Sequence, residues 1–213
     1  ECDIWKTLDG EFMVSHDGDL NRMFGYDFQI ATLTTEQIKK YFMINGSNVD
    51  AYDNLTMPTF EQYLGVMKKN KEVHPFVEIK EELNDADLRK IVKQVKDAGL
   101  LNETYFISMH QSNLLSLQRL DGVNTSQLQY VYGAEDFNKT TSVTSSVISW
   151  CINNQIDLDT RQSLVTASDV YRLQTAGRQV NVWTVNTIEK AYDLVNKLHV
   201  DMITTEYMLN TEP

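Results

Sequence analysis

Four side chains mark where chemistry is possible: Glu1, Asp3, Glu78 and Lys80. Side chains along a strand alternate between faces, so Glu1 and Asp3 share one face, as do Glu78 and Lys80. Val77 and Ile79 then point the other way. A carboxylate and an ammonium at the end of a buried strand are costly unless something pairs with them. Mutual pairing at a strand end is one reading. A functional site is the other. Three carboxylates converging on one lysine suit a hard divalent cation beside a phosphate, because such cations take oxygen ligands. His16, in the polar loop Ser15-His16-Asp17-Gly18, adds a side chain able to give or take a proton.

The elements that must hold these residues repeat in a βα rhythm. The pattern predicts strands near residues 3, 77, 106, 130, 157, 182 and 202. Between them it predicts helices: from Thr34 or Thr35 to about Phe42, and from Thr59 with Phe60, Tyr63, Leu64 and Met67 on one face. Further helices are expected over Asp85 to Ala98 with Gly99 as the stop, Asn113 to Leu120, Ser142 to Asn153, Ser168 to Gly177, and Ile188 to Leu198. Asp9-Gly10 reads as a turn. Strands alternating with helices at this spacing imply parallel βαβ units, an α/β fold. The expectation is a (β/α)8 barrel spanning 1–213 that lacks its first βα unit, since a barrel has eight strands in about 250 residues. An open doubly wound sheet is the alternative, but no Gly-rich phosphate loop is present. In a barrel the C-terminal strand ends carry the active site. Glu1, Asp3, His16, Glu78, Lys80, Trp183 and Asn186 all fall at or just after such ends.

Composition narrows the partners. The chain has 213 residues, 42% hydrophobic and 23% charged, as in ordinary globular proteins. A net charge of −11 argues against nucleic acid as a partner. It does not exclude small anions, because a bound cation reverses the local field. No run is apolar enough for a membrane span, and no signal-peptide pattern is visible. Cys2 and Cys151 are either two free thiols or one disulfide. Sequons at Asn45, Asn54, Asn102, Asn124 and Asn138 read as composition in an Asn- and Thr-rich chain.

The ordered set of motifs resembles the glycerophosphodiester phosphodiesterase family. The stretches that carry the likeness are Glu1-Cys2-Asp3, Asp9-Gly10, His16-Asp17 with Leu20 and Arg22, Pro58-Thr59-Phe60-Glu61, Glu78-Ile79-Lys80, Gly177, Val182 to Asn186, and Val200 to Glu206. The resemblance implies a (β/α)8 barrel that uses a divalent metal, calcium or magnesium, to cleave glycerophosphodiesters to glycerol 3-phosphate and an alcohol. It implies Glu1, Asp3 and Glu78 as metal ligands and Lys80 as the phosphate contact. It implies His16 as the second of two catalytic histidines, and Trp183 as an aromatic on the glycerol side of the pocket. The family's opening His-Arg unit has no match in these residues. A fragment of a longer protein is the expectation, and a non-catalytic barrel that binds a phosphodiester or a protein is the contrasting one. A lysophospholipase D or sphingomyelinase-like activity is a third. Glu206 stands where the family usually has aspartate, and Met208 where it has proline. Cytoplasmic and extracytoplasmic locations both stand.

Other residues carry plainer readings. His74 is a loop residue before a proline, His110 lies just past a strand end, and His199 caps a helix end. Trp5 is wall or core, and Trp150 packs on the sheet from a helix. Asn186 orients Trp183 or caps the next helix. Glu81-Glu82 reads as a solvated loop rather than a second metal site, with Glu81 close enough to the carboxylates to matter.

Overall fold

The computed structural model describes residues 1–70, 72–134, 139–206 and 209. The Asn138 sequon and Met208 lie outside them. The chain divides into two compact units, Glu1–Tyr105 and Phe106–Pro213.

In the first unit, β1 (Cys2–Lys6), β2 (Phe12–Val14) and β3 (Phe76–Ile79) form a sheet with β1 in the middle. β1 runs antiparallel to β2 and parallel to β3. The parallel register sets Cys2 beside Val77, Asp3 beside Glu78 and Ile4 beside Ile79. Between β2 and β3 lie α1 (Asn21–Phe24), α2 (Thr35–Ile38) and α3 (Phe60–Met67), and α4 (Asp85–Asp97) follows β3. Thr59 caps α3 in a reciprocal capping box with Gln62. Asn84 caps α4, which buries Leu88, Ile91, Val92 and Val95 at the three-to-four spacing read from sequence. Gly99 takes φ +76° just past that helix, the left-handed conformation glycine adopts readily. The long segment between β2 and α3 has its own small core. Leu20, Phe24, Ile30, Ile38 and Met57 are buried there together with Met13 of β2, and Trp5 and Tyr41 pack against them.

The second unit holds parallel strands β4 (Tyr105–Ser108, starting on the last residue of the first unit), β5 (Leu128–Tyr132), β6 (Asp157–Arg161), β7 (Val180–Trp183) and β8 (Met202–Ile203), each paired with the next. Its helices are α5 (Gln111–Leu117), α6 (Ser145–Asn154), α7 (Ala167–Thr175) and α8 (Ile188–Asp193), the last running into a π-helical turn at Leu194–Leu198. Leu158, Val180 and Val182 join Ile148, Cys151, Val170 and Leu173 in one apolar core. By alternation, Asp157, Asp159, Arg161 and Asn181 lie on the opposite sheet face, where all four are also buried. Trp150 packs against Tyr130 with ring centres 5.1 Å apart, as expected of a helix residue facing the sheet.

All seven expected strands are present, and the α/β class holds. Several details differ. Strand β2 was not expected, and it places residues 12–14 on the free edge of β1. Helix α2 stops at Ile38, because Met43 donates to the Leu55 carbonyl and Ile44 to that of Met23, which draws the chain off the helix axis. Thr166, not Ser168, caps α7. Strand β6, read from sequence as Ile156-Asp157-Leu158, runs on to Arg161, because both of its faces are buried. Cys2 and Cys151 are both buried free thiols.

Candidate active site

The first unit gathers the carboxylates that sequence spacing suggested. Glu1 directly precedes β1 and Asp3 is its second residue. Neither sits at the C-terminal strand end expected from sequence, because β1 runs on to Lys6 in antiparallel pairing with β2. Glu78 comes from β3, and the parallel register places Asp3 and Glu78 side by side. One ligand oxygen from each of Glu1, Asp3 and Glu78 lies within 4.8 Å of the others. Lys80 follows β3 directly. Its Nζ is 3.0 Å from Glu78 Oε1 and 3.3 Å from Asp3 Oδ1. The Asp3, Glu78 and Lys80 side chains are only 11–12% exposed, so these charges interact with little screening.

The electrostatics follow from crowding. Burial pushes the Glu78 carboxyl above the ordinary carboxylate range; Lys80 opposes this and Asp3 adds to it. Glu1 is an exposed residue, yet its carboxyl is turned into the group. There it too is held above its ordinary value, first by burial and then by Asp3. Burial works against the Lys80 ammonium, but Glu78 and Asp3 outweigh it and raise its pKa. One ammonium against three carboxylates leaves excess negative charge on a compact set of oxygen donors. That donor set fits a hard divalent cation, which takes oxygen ligands.

His16 sits in the loop after β2, with a side chain 70% exposed. The loop is tied to the carboxylate strand, since Ser15 N donates to the Asp3 carbonyl at 3.0 Å. The Trp5 ring lies under Gly18, where a Cβ would meet ring atoms at 3.0–3.2 Å. His16 Nδ1 is 2.8 Å from Asp17 Oδ1, and the other Asp17 oxygen accepts from Arg22 Nε at 2.6 Å. Burial works against the Asp17 carboxylate, but Arg22 and His16 outweigh it and hold its pKa below the ordinary value. The motif residues Asp17 and Arg22 thus form a chain of contacts ending at His16. Leu20 is fully buried beneath it.

Trp183 ends β7 in the second unit and stands in register with Arg161. Gln162 N donates to its carbonyl at 2.8 Å. Thr187, not Asn186, caps α8. The Asn186 side-chain amide donates to Glu206 Oε2 at 2.8 Å and its carbonyl accepts from Glu206 N at 3.1 Å, which joins the loops after β7 and β8.

Two roles were hidden in the sequence. Asp9, in the matched Asp9-Gly10, is structural: its carboxylate accepts from Thr7 Oγ1 at 2.6 Å and from Thr35 N at 3.0 Å, pinning the β1–β2 turn to the start of α2. Glu81, read as a solvated loop residue, is half-buried and accepts from Lys6 N at 2.6 Å. No local pattern joins residues 75 apart.

Comparison with known proteins places the fold and the family. The family model described as the glycerophosphoryl diester phosphodiesterase family matches residues 1–209. No curated protein matches the chain. Among solved structures, a glycerophosphodiester phosphodiesterase from Parabacteroides distasonis is 24% identical, with 96% of this chain and 78% of that one covered and a TM-score of 0.73. An Oleispira antarctica phosphodiesterase in complex with the product sn-glycerol-3-phosphate is 20% identical, with 97% and 80% covered and a TM-score of 0.81. A putative glycerophosphodiester phosphodiesterase from Galdieria sulphuraria is 16% identical, with 97% and 80% covered and a TM-score of 0.78. At these identities the likeness establishes a shared fold. With its motifs in order and the family model spanning nearly its whole length, the chain belongs to the glycerophosphoryl diester phosphodiesterase family, a family of phosphoric diester hydrolases.

Proposed function

We propose that the chain hydrolyses glycerophosphodiesters to glycerol 3-phosphate and an alcohol, using a divalent cation held by Glu1, Asp3 and Glu78. The observation that carries this reading is the cluster itself: three carboxylates within 4.8 Å, with the Lys80 ammonium against two of them. A cation bound there, calcium or magnesium, would supply charge neutralisation at the phosphoryl oxygens. Lys80 binds a non-bridging phosphate oxygen and offsets the charge that builds as the diester is attacked. His16 moves the proton. With Nδ1 turned to Asp17, its Nε2 is the ring atom left to exchange a proton with a substrate oxygen. Asp17, fixed by Arg22, orients that ring. Trp183 lines the glycerol side.

We propose further that residues 1–213 form one barrel domain. The family match over 1–209 supports that reading. Among the described residues, no helix is long and apolar enough to cross a membrane.

The test is phosphorus NMR of glycerophosphocholine incubated with the chain and calcium, magnesium or a chelator. Conversion to glycerol 3-phosphate with a cation and none with chelator is expected. Conversion at the same rate with chelator present would overturn the cation's part in the reading.

A further inference from the structure

β3 leaves the sheet just where Lys80 must be held. The parallel pairing ends at Ile4 and Ile79, and the next backbone bond, from Lys80 N to the Ile4 carbonyl, is already long at 3.4 Å. Beyond it, the Lys6 N–H of β1 finds its acceptor in a side chain. Glu81 Oε1 takes that N–H at 2.6 Å, in the place a strand carbonyl would hold. Lys6 has a second hold on the same connection. Its ammonium lies 2.6 Å from Asp87 Oδ2, in the first turn of α4, and Asn84, the cap of that helix, donates to the same oxygen at 2.8 Å. The short connection from Lys80 to α4 is thus gripped near both ends by one residue of β1, the strand that carries Asp3.

We propose that Glu81 is a positioning residue: its hydrogen bond to Lys6 N fixes the backbone beside Lys80, so that the Lys80 ammonium stays against Asp3 and Glu78. The inference rests on the reading of Lys80 as the phosphate contact. It also accounts for an acidic residue next to a crowded anionic site without making it another ligand. Glu81 acts as an acceptor of the right reach. A glutamine in its place offers the same acceptor at the same reach, whereas an aspartate keeps the charge and loses the reach.

The test compares Glu81→Ala, Glu81→Asp and Glu81→Gln with the unaltered chain. The first readout is the rate at which an amine-acylating reagent labels Lys80, resolved by mass spectrometry. Lys90, bonded to the Gly10 carbonyl and Glu11, serves as the reference lysine in the same digest. Labelling of Lys80 relative to Lys90 is expected to rise about tenfold in Glu81→Ala and Glu81→Asp, and to stay within about twofold in Glu81→Gln. The second readout is glycerol 3-phosphate release, where Ala and Asp lower kcat about tenfold and Gln restores it. Unchanged Lys80 labelling in Glu81→Ala and Glu81→Asp overturns the proposal, and so does a Glu81→Gln chain labelled as fast as Glu81→Ala. If Glu81→Ala does not fold, Glu81→Asp and Glu81→Gln decide alone. If the unaltered chain releases no glycerol 3-phosphate, the functional reading fails, and the labelling still decides the role of Glu81.

Discussion

His16 and Asp17 are neighbours in sequence whose side chains meet: Nδ1 of the ring is 2.8 Å from Asp17 Oδ1, while Arg22 holds the other carboxylate oxygen. The arrangement fixes which ring nitrogen faces the carboxylate and which is left for substrate. Asp17→Ala should lower kcat about a hundredfold, the scale of a general acid–base contribution, with little change in KM. Arg22→Ala should give a smaller loss of the same kind. Steady-state kinetics of both variants check this. A fall confined to KM would count against an orienting role.

The carboxylate cluster makes cation binding pH-dependent. Glu1 and Glu78 are both raised above their ordinary values, so each keeps a proton to higher pH than an isolated carboxyl. Cation binding must displace those protons. Calcium affinity should therefore weaken at least about tenfold between about pH 8 and about pH 6. Calorimetric titrations at the two values should also show proton release at the lower one. Equal affinity at both would mean that the carboxylates do not form the site.

Asp157 gives stability a pH dependence of its own. It is 2% exposed, 3.2 Å from Arg178, and accepts from Gln179 N. Burial nonetheless pushes it from 3.8 up to about 6. The folded chain thus holds this proton more tightly than the unfolded chain. The contribution is fully present below the unfolded value and is lost as pH rises through the folded one. Urea unfolding should show a loss on the order of 3 kcal/mol across that window, from a shift of roughly two units. Asp157→Asn should flatten the slope. A slope that survives the substitution would assign it to other groups.

What the sequence made legible was what local pattern controls. The spacing of Glu1 and Asp3, and of Glu78 and Lys80, sufficed to put each pair on one strand face, and the parallel register then brought Asp3 beside Glu78. Gly99 and the apolar stripe of α4 fixed that helix to within a residue. Legibility failed where tertiary contacts decide. The strand expected near residue 157 runs on through Asp159-Thr160-Arg161, a poor strand by composition, because it is buried on both faces. α2 is cut short by distant carbonyls. Asn186 looked like a cap and is instead bonded to Glu206, 20 residues on. Glu81 looked solvated because its partner lies 75 residues away.

The central claim is that the Glu1, Asp3 and Glu78 carboxylates hold the cation on which diester hydrolysis depends. The most direct measurement is glycerol 3-phosphate release from glycerophosphocholine by the unaltered chain and by Glu78→Ala, side by side, with saturating calcium or magnesium. Cation-dependent release by the unaltered chain, reduced at least about a hundredfold in Glu78→Ala and not restored by more cation, is the predicted result. Full activity in Glu78→Ala would contradict it.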